Sequence, residues 1–463
     1  MILLISIIVF LLIQISIGIY SVKKVRNATD FILASRSQPT HLVLFSLFAT
    51  WFGAETILSS SVLFAEGGFM AVIKEPFGAS LCLFLTALFF VRPLYRMGLG
   101  TLCDFFGIRY GKKAETLSAL ILSVSYFSWI AAQYVAMGNI LQVVLIESHM
   151  QADITFTIIT AAVIVIFYTV LGGMWSNILT DFIQSIFIIS GLILFVIFLI
   201  PQVASFDIYI QKSAPDFFSF IPDHNTHSIL GYTESWMIVG LGSIPSPDIF
   251  QRTMSAKNEK VAYHSTLYAA FLFLIIALLP LFIGWIGNFI YPEILLQIKS
   301  QKELFMPTLF LKAPLFLQII LFGALFSAVM STTSAAILAP ASVLSENLLK
   351  PLFSKLSDKK HLILLRASIL LVSMLSLWLS LGNQSVYELA SNASSMSLVS
   401  IFIPLCFGIY YPRTSAKGII TSMTGGLTIW ILLLSNGFEE TYIPLFGGLG
   451  SSLIGVLLFQ KKN

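Results

Sequence analysis

The chain has 463 residues, 57% of them hydrophobic and only 10% charged, with a formal net charge of +4. A water-soluble fold of this size needs far more surface charge, so the composition excludes one and points to a polytopic membrane protein. The small positive balance sits in alternate loops, which writes orientation in a bilayer and not binding to nucleic acid.

Apolar runs able to cross about 30 Å of hydrocarbon as helices recur from end to end. They fall at residues 2–20, 40–65, 68–91, 116–146, 153–171, 180–201, 229–250, 265–290, 308–345, 362–381, 388–411, 418–435 and 441–459. The expected fold is thus an all-α membrane protein of about thirteen transmembrane helices, one domain over residues 1–463. The first run lacks a basic residue before it and a small-residue cleavage site after it, and Lys23, Lys24 and Arg26 follow directly, so it reads as a retained span and not a signal peptide.

With the N-terminus outside, the inward loops hold the great majority of the 26 basic residues, Lys355, Lys461 and Lys462 among them. The outward segments hold only Lys212, Lys299, Lys302 and Lys312. An odd number of spans then places the C-terminus in the cytoplasm, and short loops suit an inner (plasma) membrane.

Two spans break where a simple anchor would stay regular. The second carries Gly53, Ala54 and Glu55 at mid-depth, followed by Ser59, Ser60 and Ser61; the seventh carries Gly240, Gly242, Pro245 and Pro247. Backbone groups freed by such breaks survive at membrane depth only where protein or a wet cavity satisfies them. Breaks five spans apart predict two inverted five-helix repeats, residues 40–201 and 229–411, with a site at the midplane between them. Residues 1–20 are then an extra N-terminal span and 418–459 two C-terminal ones. A pair of packing kinks is the alternative.

The ninth span packs hydroxyls at Ser327, Ser331, Thr332, Thr333 and Ser334 into about two turns. Ala328, Ser331 and Thr332 share one helix face, and carbonyls at the break near Phe52 would add to them. Sodium, a hard cation that wants oxygens, is the natural user. Hydroxyls in membrane helices also bond back to their own backbone or join helices, and that reading stays open.

Ionisable groups within spans mark functional sites by default. Asp181, beside Thr180 at the expected start of span six, reads as part of an ion exit path or as an N-cap acid. Glu55 either faces a solute cavity, where it would accept a cationic or hydroxyl-bearing group, or pairs with Lys74, whose neighbour Glu75 offers a local salt bridge. Trp51 and Trp129 present aromatic faces of the kind that attract organic cations; Trp175, Trp285 and Trp378 read as interface or packing residues. His224 and His227 form a lone pair in a loop, Asn27-Ala-Thr29 has glycosylation spacing on the cytoplasmic side, and Cys82, Cys103 and Cys406 are scattered. No ATPase phosphate loop or nucleophile–base pair is evident, so neither an enzyme nor a primary pump is expected.

Tyr168-Thr-Val-Leu-Gly-Gly173 with Thr180-Asp181-Phe-Ile-Gln184, Ala328-Val-Met-Ser331-Thr332 and Phe250-Gln251-Arg252 together resemble the sodium/solute symporter family over nearly the whole chain. The resemblance implies the leucine-transporter-type inverted-repeat fold. It also implies a co-transported sodium ion held by the carbonyls of Ala49, Phe52 and Ala328 and the hydroxyls of Ser331 and Thr332. Ala49-Thr-Trp51 and Trp129 look most like the choline transporters, which carry a tryptophan where this chain has Ser246 and a tyrosine where it has Gly68. Trp51, Glu55, Thr56, Trp129, Gln133 and Ser246 form the candidate substrate set. The function so implied is sodium-coupled import of a small organic solute (proline, choline or a related metabolite) across the lipid bilayer by alternating access. A membrane sensor that keeps a transporter fold, and a proton-coupled carrier or channel, are the alternatives.

Overall fold

The computed structural model describes residues 1–222, 225–298, 301–353, 356–382, 386–438 and 441–460, and the chain is almost wholly helical. His224, Lys299, Lys355, Lys461 and Lys462 lie outside the described residues. Helix α1 is Ile2–Val22; α2, Thr40–Trp51, and α3, Glu55–Gly67, are bent 59° from one another. Then follow α4 (Phe69–Arg96), α5 (Leu102–Tyr110), α6 (Lys112–Glu147) and α7 (Ile154–Leu199). The second half of the chain has α8 (Thr226–Gly240), α9 (Pro247–Met254), α10 (Glu259–Ile290), α11 (Leu315–Leu352), α12 (Asp358–Ser380), α13 (Val386–Tyr410), α14 (Ala416–Ser435) and α15 (Ile443–Leu458).

Among the described residues nine helices are long and apolar enough to span a membrane, ten with the bent α2–α3 pair. The other expected spans fall on a divided helix, a broken pair and a short final helix. The expected spans 153–171 and 180–201 are one helical run of 46 residues, α7, interrupted at Gly173 (φ 53, ψ −142). A straight helix of that length would be about 69 Å long, more than twice the hydrocarbon thickness, so the break is where it divides. Only glycine suits that position, because a Cβ there would lie 2.5 Å from the Phe31 carbonyl oxygen. The expected seventh span is the pair α8 and α9, whose connection holds Gly242 and Pro245.

The main core is a large buried body through which α11 runs, its residues from Leu321 to Val343 buried on every side, and a smaller cluster gathers around Ile238, Leu398 and Leu445. A helix with no lipid-facing stripe belongs at the centre of a bundle. Helix α1 packs its buried face, including Gln14 and Gly18, against α7, whereas α12 shows Trp378 to the outside at 77% exposure.

Two ties close the side where α2 begins. Gln38 forms an isolated parallel bridge with Ala256: its amide donates to the Ser255 carbonyl, and its carbonyl accepts from the Lys257 amide, both at 3.0 Å. Asn347, at the end of α11, donates to Asp104 of α5 at 2.7 Å and to Glu115 of α6 at 2.9 Å, while its amide oxygen accepts from Thr101 at 2.7 Å. Asn27, with its glycosylation spacing, caps a helix instead, its side chain accepting from the Asp30 amide at 2.9 Å.

Candidate functional site

The break between α2 and α3 organises the site. A helix end leaves its last carbonyls without an intrahelical donor. Three here find one: Phe48 accepts from the Phe52 amide at 2.9 Å, Thr50 from the Thr332 hydroxyl at 2.7 Å, and Trp51 from the Thr56 hydroxyl at 3.4 Å. Among the described residues the carbonyls of Ala49 and Phe52 are left without a donor, and Phe52 (φ −84, ψ 65) has left the helical conformation. On the far side of the break, the Ala54 amide donates to Gln133 at 3.2 Å, so an α6 side chain caps α3.

The hydroxyl cluster of α11 sorts itself by direction. Thr333 and Ser334 bond back to the carbonyls of Val329 and Ser331, the unremarkable behaviour of hydroxyls in membrane helices. Ser331 and Thr332 reach out of their helix. Ser331 donates to Asp181 at 2.6 Å, and Thr332 donates to Thr50 as well as lying 3.1 Å from the Ala328 carbonyl. Ala49, Phe52, Ala328, Ser331 and Thr332 are all fully buried. Both outward hydroxyls spend their proton on protein oxygens, which leaves their lone pairs for a cation. Oxygens of this type suit a hard cation such as sodium.

Asp181 lies inside α7, not at a helix start, so the N-cap reading fails: the helix does not restart at Thr180, whose hydroxyl bonds back to Ser176 and Asn177. The fully buried Asp181 carboxylate accepts from Ser46 of α2 at 2.5 Å and Ser331 of α11 at 2.6 Å, and the fully buried Arg252 of α9 stands 3.4 Å away. One carboxylate thus joins four helices beside the hydroxyl pair.

Toward the other face, a cavity with about 690 Å³ of empty space, its open mouth included, is bounded by Trp51, Glu55, Glu75, Tyr126, Trp129 and Ser246, with Tyr387 on the α13 side. Glu55 accepts from Trp129 Nε1 at 2.5 Å and Gln133 Nε2 at 2.9 Å. The alternative for Glu55, a pair with Lys74, does not form: the Lys74 ammonium donates to Ser391 at 3.2 Å and lies over the Tyr387 ring. Nor does Lys74 bridge to Glu75, which sits 3.4 Å from the Thr56 hydroxyl instead. Of the candidate substrate set, Trp51, Glu55, Trp129 and Ser246 line the cavity; Thr56 and Gln133 stand behind the wall and hold it.

Sequence reasoning missed Asp248. Fully buried in the first turn of α9, it accepts from Trp51 Nε1 at 3.1 Å and from the Tyr126 hydroxyl. The signal was available, an acid directly after Ile244-Pro-Ser-Pro247 in a broken span. Tyr126 and Tyr387 carried no such signal. Gly68, the expected gap in an aromatic wall, has φ +64 and meets the Phe217 carbonyl, so no side chain fits there. His227 partners Tyr442 at 3.1 Å, and no group of three or more metal-binding side chains occurs among the described residues.

Residues 31–426 match the model of the sodium:solute symporter family. The high affinity choline transporter 1 of Homo sapiens is 26% identical over 447 residues, 92% of this chain and 76% of its own length. The sodium/pantothenate symporter of Haemophilus influenzae is 25% identical over 376 residues, 78% of this chain and 75% of its own. The osmoregulated proline transporter OpuE of Bacillus subtilis is 26% identical over 381 residues, 77% of this chain and 73% of its own. Among solved structures, a Na⁺-coupled sialic acid symporter in its substrate-bound outward-open state superposes with a TM-score of 0.83 at 18% identity, covering 100% of this chain and 99% of that one. MhsT in complex with L-phenylalanine superposes with a TM-score of 0.58 at 11% identity, covering 90% and 97%. These likenesses are of fold, and the fold is the leucine-transporter type expected from the sequence. The chain belongs to the sodium:solute symporter family.

Proposed function

We propose that this multi-pass membrane protein, a transporter and not an enzyme, binds sodium at Ala49, Phe52, Ala328, Ser331 and Thr332 and uses its inward gradient to import a small organic solute held in the Trp51–Glu55–Trp129 cavity. The observation that carries the reading is the pair of carbonyls, Ala49 and Phe52, left without donors opposite two hydroxyls whose protons are already committed. Sodium bridging α2 and α11 would hold the break that also carries Glu55 into the cavity, so ion and solute share one element. Asp181, hydrogen bonded to Ser331, is the first acid on an ion exit path. The relatives named for choline, pantothenate and proline support a small organic solute without choosing among them. We further propose residues 40–201 and 229–411 as the two inverted halves, with the N-terminus outside and the C-terminus in the cytoplasm.

Proteoliposomes with sodium and proton gradients imposed separately test this, using choline, pantothenate and L-proline as solutes. Uptake driven by the sodium gradient alone is expected. Uptake driven equally by protons, or dissipative solute flux without accumulation, would replace this reading with a proton-coupled carrier or a channel.

A further inference from the structure

The charges around the break and the cavity do not balance. Glu55, Glu75, Asp181 and Asp248 are four carboxylates no more than 8% exposed. Against them stand Arg252, fully buried beside Asp181 and one turn beyond Asp248, and the half-buried Lys74. Lys74 also faces Glu234 of α8, which takes up part of its charge. Buried charges persist only when paired. With the four carboxylates ionised, at least two positive charges are missing, and the proposed sodium ion near Asp181 and Ser331 would supply one of them. The other belongs at Glu55 and Glu75.

The form of that second cation follows from which acceptors are free. Both oxygens of Asp248 are taken, by Trp51 and by Tyr126. Glu55 Oε1 is taken by Trp129 and Gln133. Glu75 makes one long contact to Thr56, and its Oε2 is buried without a partner. A buried carboxylate oxygen without a donor is costly, and the donor it lacks is an N–H or O–H. A quaternary ammonium is held by charge and by ring faces but offers no N–H to that oxygen. Trp51, Tyr126, Trp129 and Tyr387 bring rings to the cavity, while Ser246 brings none, so the unpartnered oxygen is what separates the two kinds of cation.

We propose that the transported solute is a small organic monocation whose ammonium group carries N–H bonds, held at Glu55 and Glu75 with Trp51 and Trp129 alongside. This rests on the reading of the cavity as the solute site. Glu75 is a specificity residue in it: it separates amines that donate from those fully methylated.

The test uses the purified protein in saturating NaCl, with thermal stabilisation as readout and the hydroxyl-free ethylamine and its N-methyl, N,N-dimethyl and N,N,N-trimethyl derivatives as probes. The first three are expected to bind, and the trimethyl compound about tenfold more weakly than ethylamine. Glu75→Gln is expected to bring ethylamine to the level of the trimethyl compound and to leave the latter nearly unchanged, a pattern that general loosening of the fold would not give. If that variant fails to fold, the wild-type series and Glu75→Asp decide. Equal or tighter binding of the trimethyl compound, or no stabilisation by any of the four, overturns the proposal. Sodium-driven uptake of L-proline in the absence of amine binding would overturn it while leaving sodium symport intact; loss of sodium dependence for every solute would remove the underlying reading.

Discussion

Ser331 gives its hydroxyl proton to Asp181 across a 2.6 Å hydrogen bond between α11 and α7. The bond fixes the serine rotamer and puts a carboxylate directly behind the proposed sodium ligand. Ser331→Ala removes an oxygen ligand and one of the donors to Asp181 together. The sodium concentration for half-maximal uptake is expected to rise about tenfold or more, with a further rise when Thr332→Ala is added. Uptake measured against sodium concentration checks this, and unchanged sodium dependence would take both residues out of the ion site.

Thr332→Val keeps the shape and removes the bond to Thr50. The loss is expected to cost about 1 kcal/mol of stability in thermal unfolding. It should also make that stability less responsive to added sodium, because the ligand oxygen is gone.

Gly53 has no room for a side chain. A Cβ there would lie 2.8 Å from Glu55 Oε2 and 2.9 Å from Thr332 Oγ1, so Gly53→Ala pushes the ion side and the solute side apart at once. Transport is expected to fall by about a hundredfold with helical content by circular dichroism unchanged. Normal uptake would show that the break tolerates rearrangement.

Trp129→Phe keeps a ring in the cavity wall and deletes the N–H that holds Glu55. A hydrogen bond to a charged group is worth about 1.5–3 kcal/mol, so KM for the transported solute is expected to rise about tenfold or more. Half-saturation by sodium should stay within about twofold, since α2 and α11 are untouched. A change in sodium affinity of the same size would place Trp129 in the structural support of the break instead.

Asn347→Asp would place a third carboxylate beside Asp104 and Glu115, with Lys112 the cation nearby at 2.7 Å from Glu115. Stability is expected to drop by about 1–3 kcal/mol, and the deficit relative to wild type should shrink as salt screens the repulsion. A salt-independent loss would assign the effect to packing.

Helix pattern, breaks and the hydroxyl cluster were legible in the sequence because each departs from what lipid rewards: Gly53, Pro245 and Ser331 are costly in a plain anchor. Direction was not legible. Ser331 and Ser334 are alike in composition, yet one reaches Asp181 and the other its own backbone, a difference set by the neighbour that each face meets. Pairing was not legible for the same reason. Glu55 and Lys74 are both charges in adjacent spans, but Trp129 and Gln133 from the more distant α6 reach the carboxylate first. The division of α7 was legible as the gap between the expected spans 153–171 and 180–201, but not that the backbone resumes helical geometry directly after Gly173.

The short bridge at Gln38 has a mechanical corollary. Two backbone hydrogen bonds weld the beginning of one interrupted crossing to the finish of the other, at Ser255 and Lys257. Neither can swing alone at that end. Whatever moves that end must lift both as a single lever.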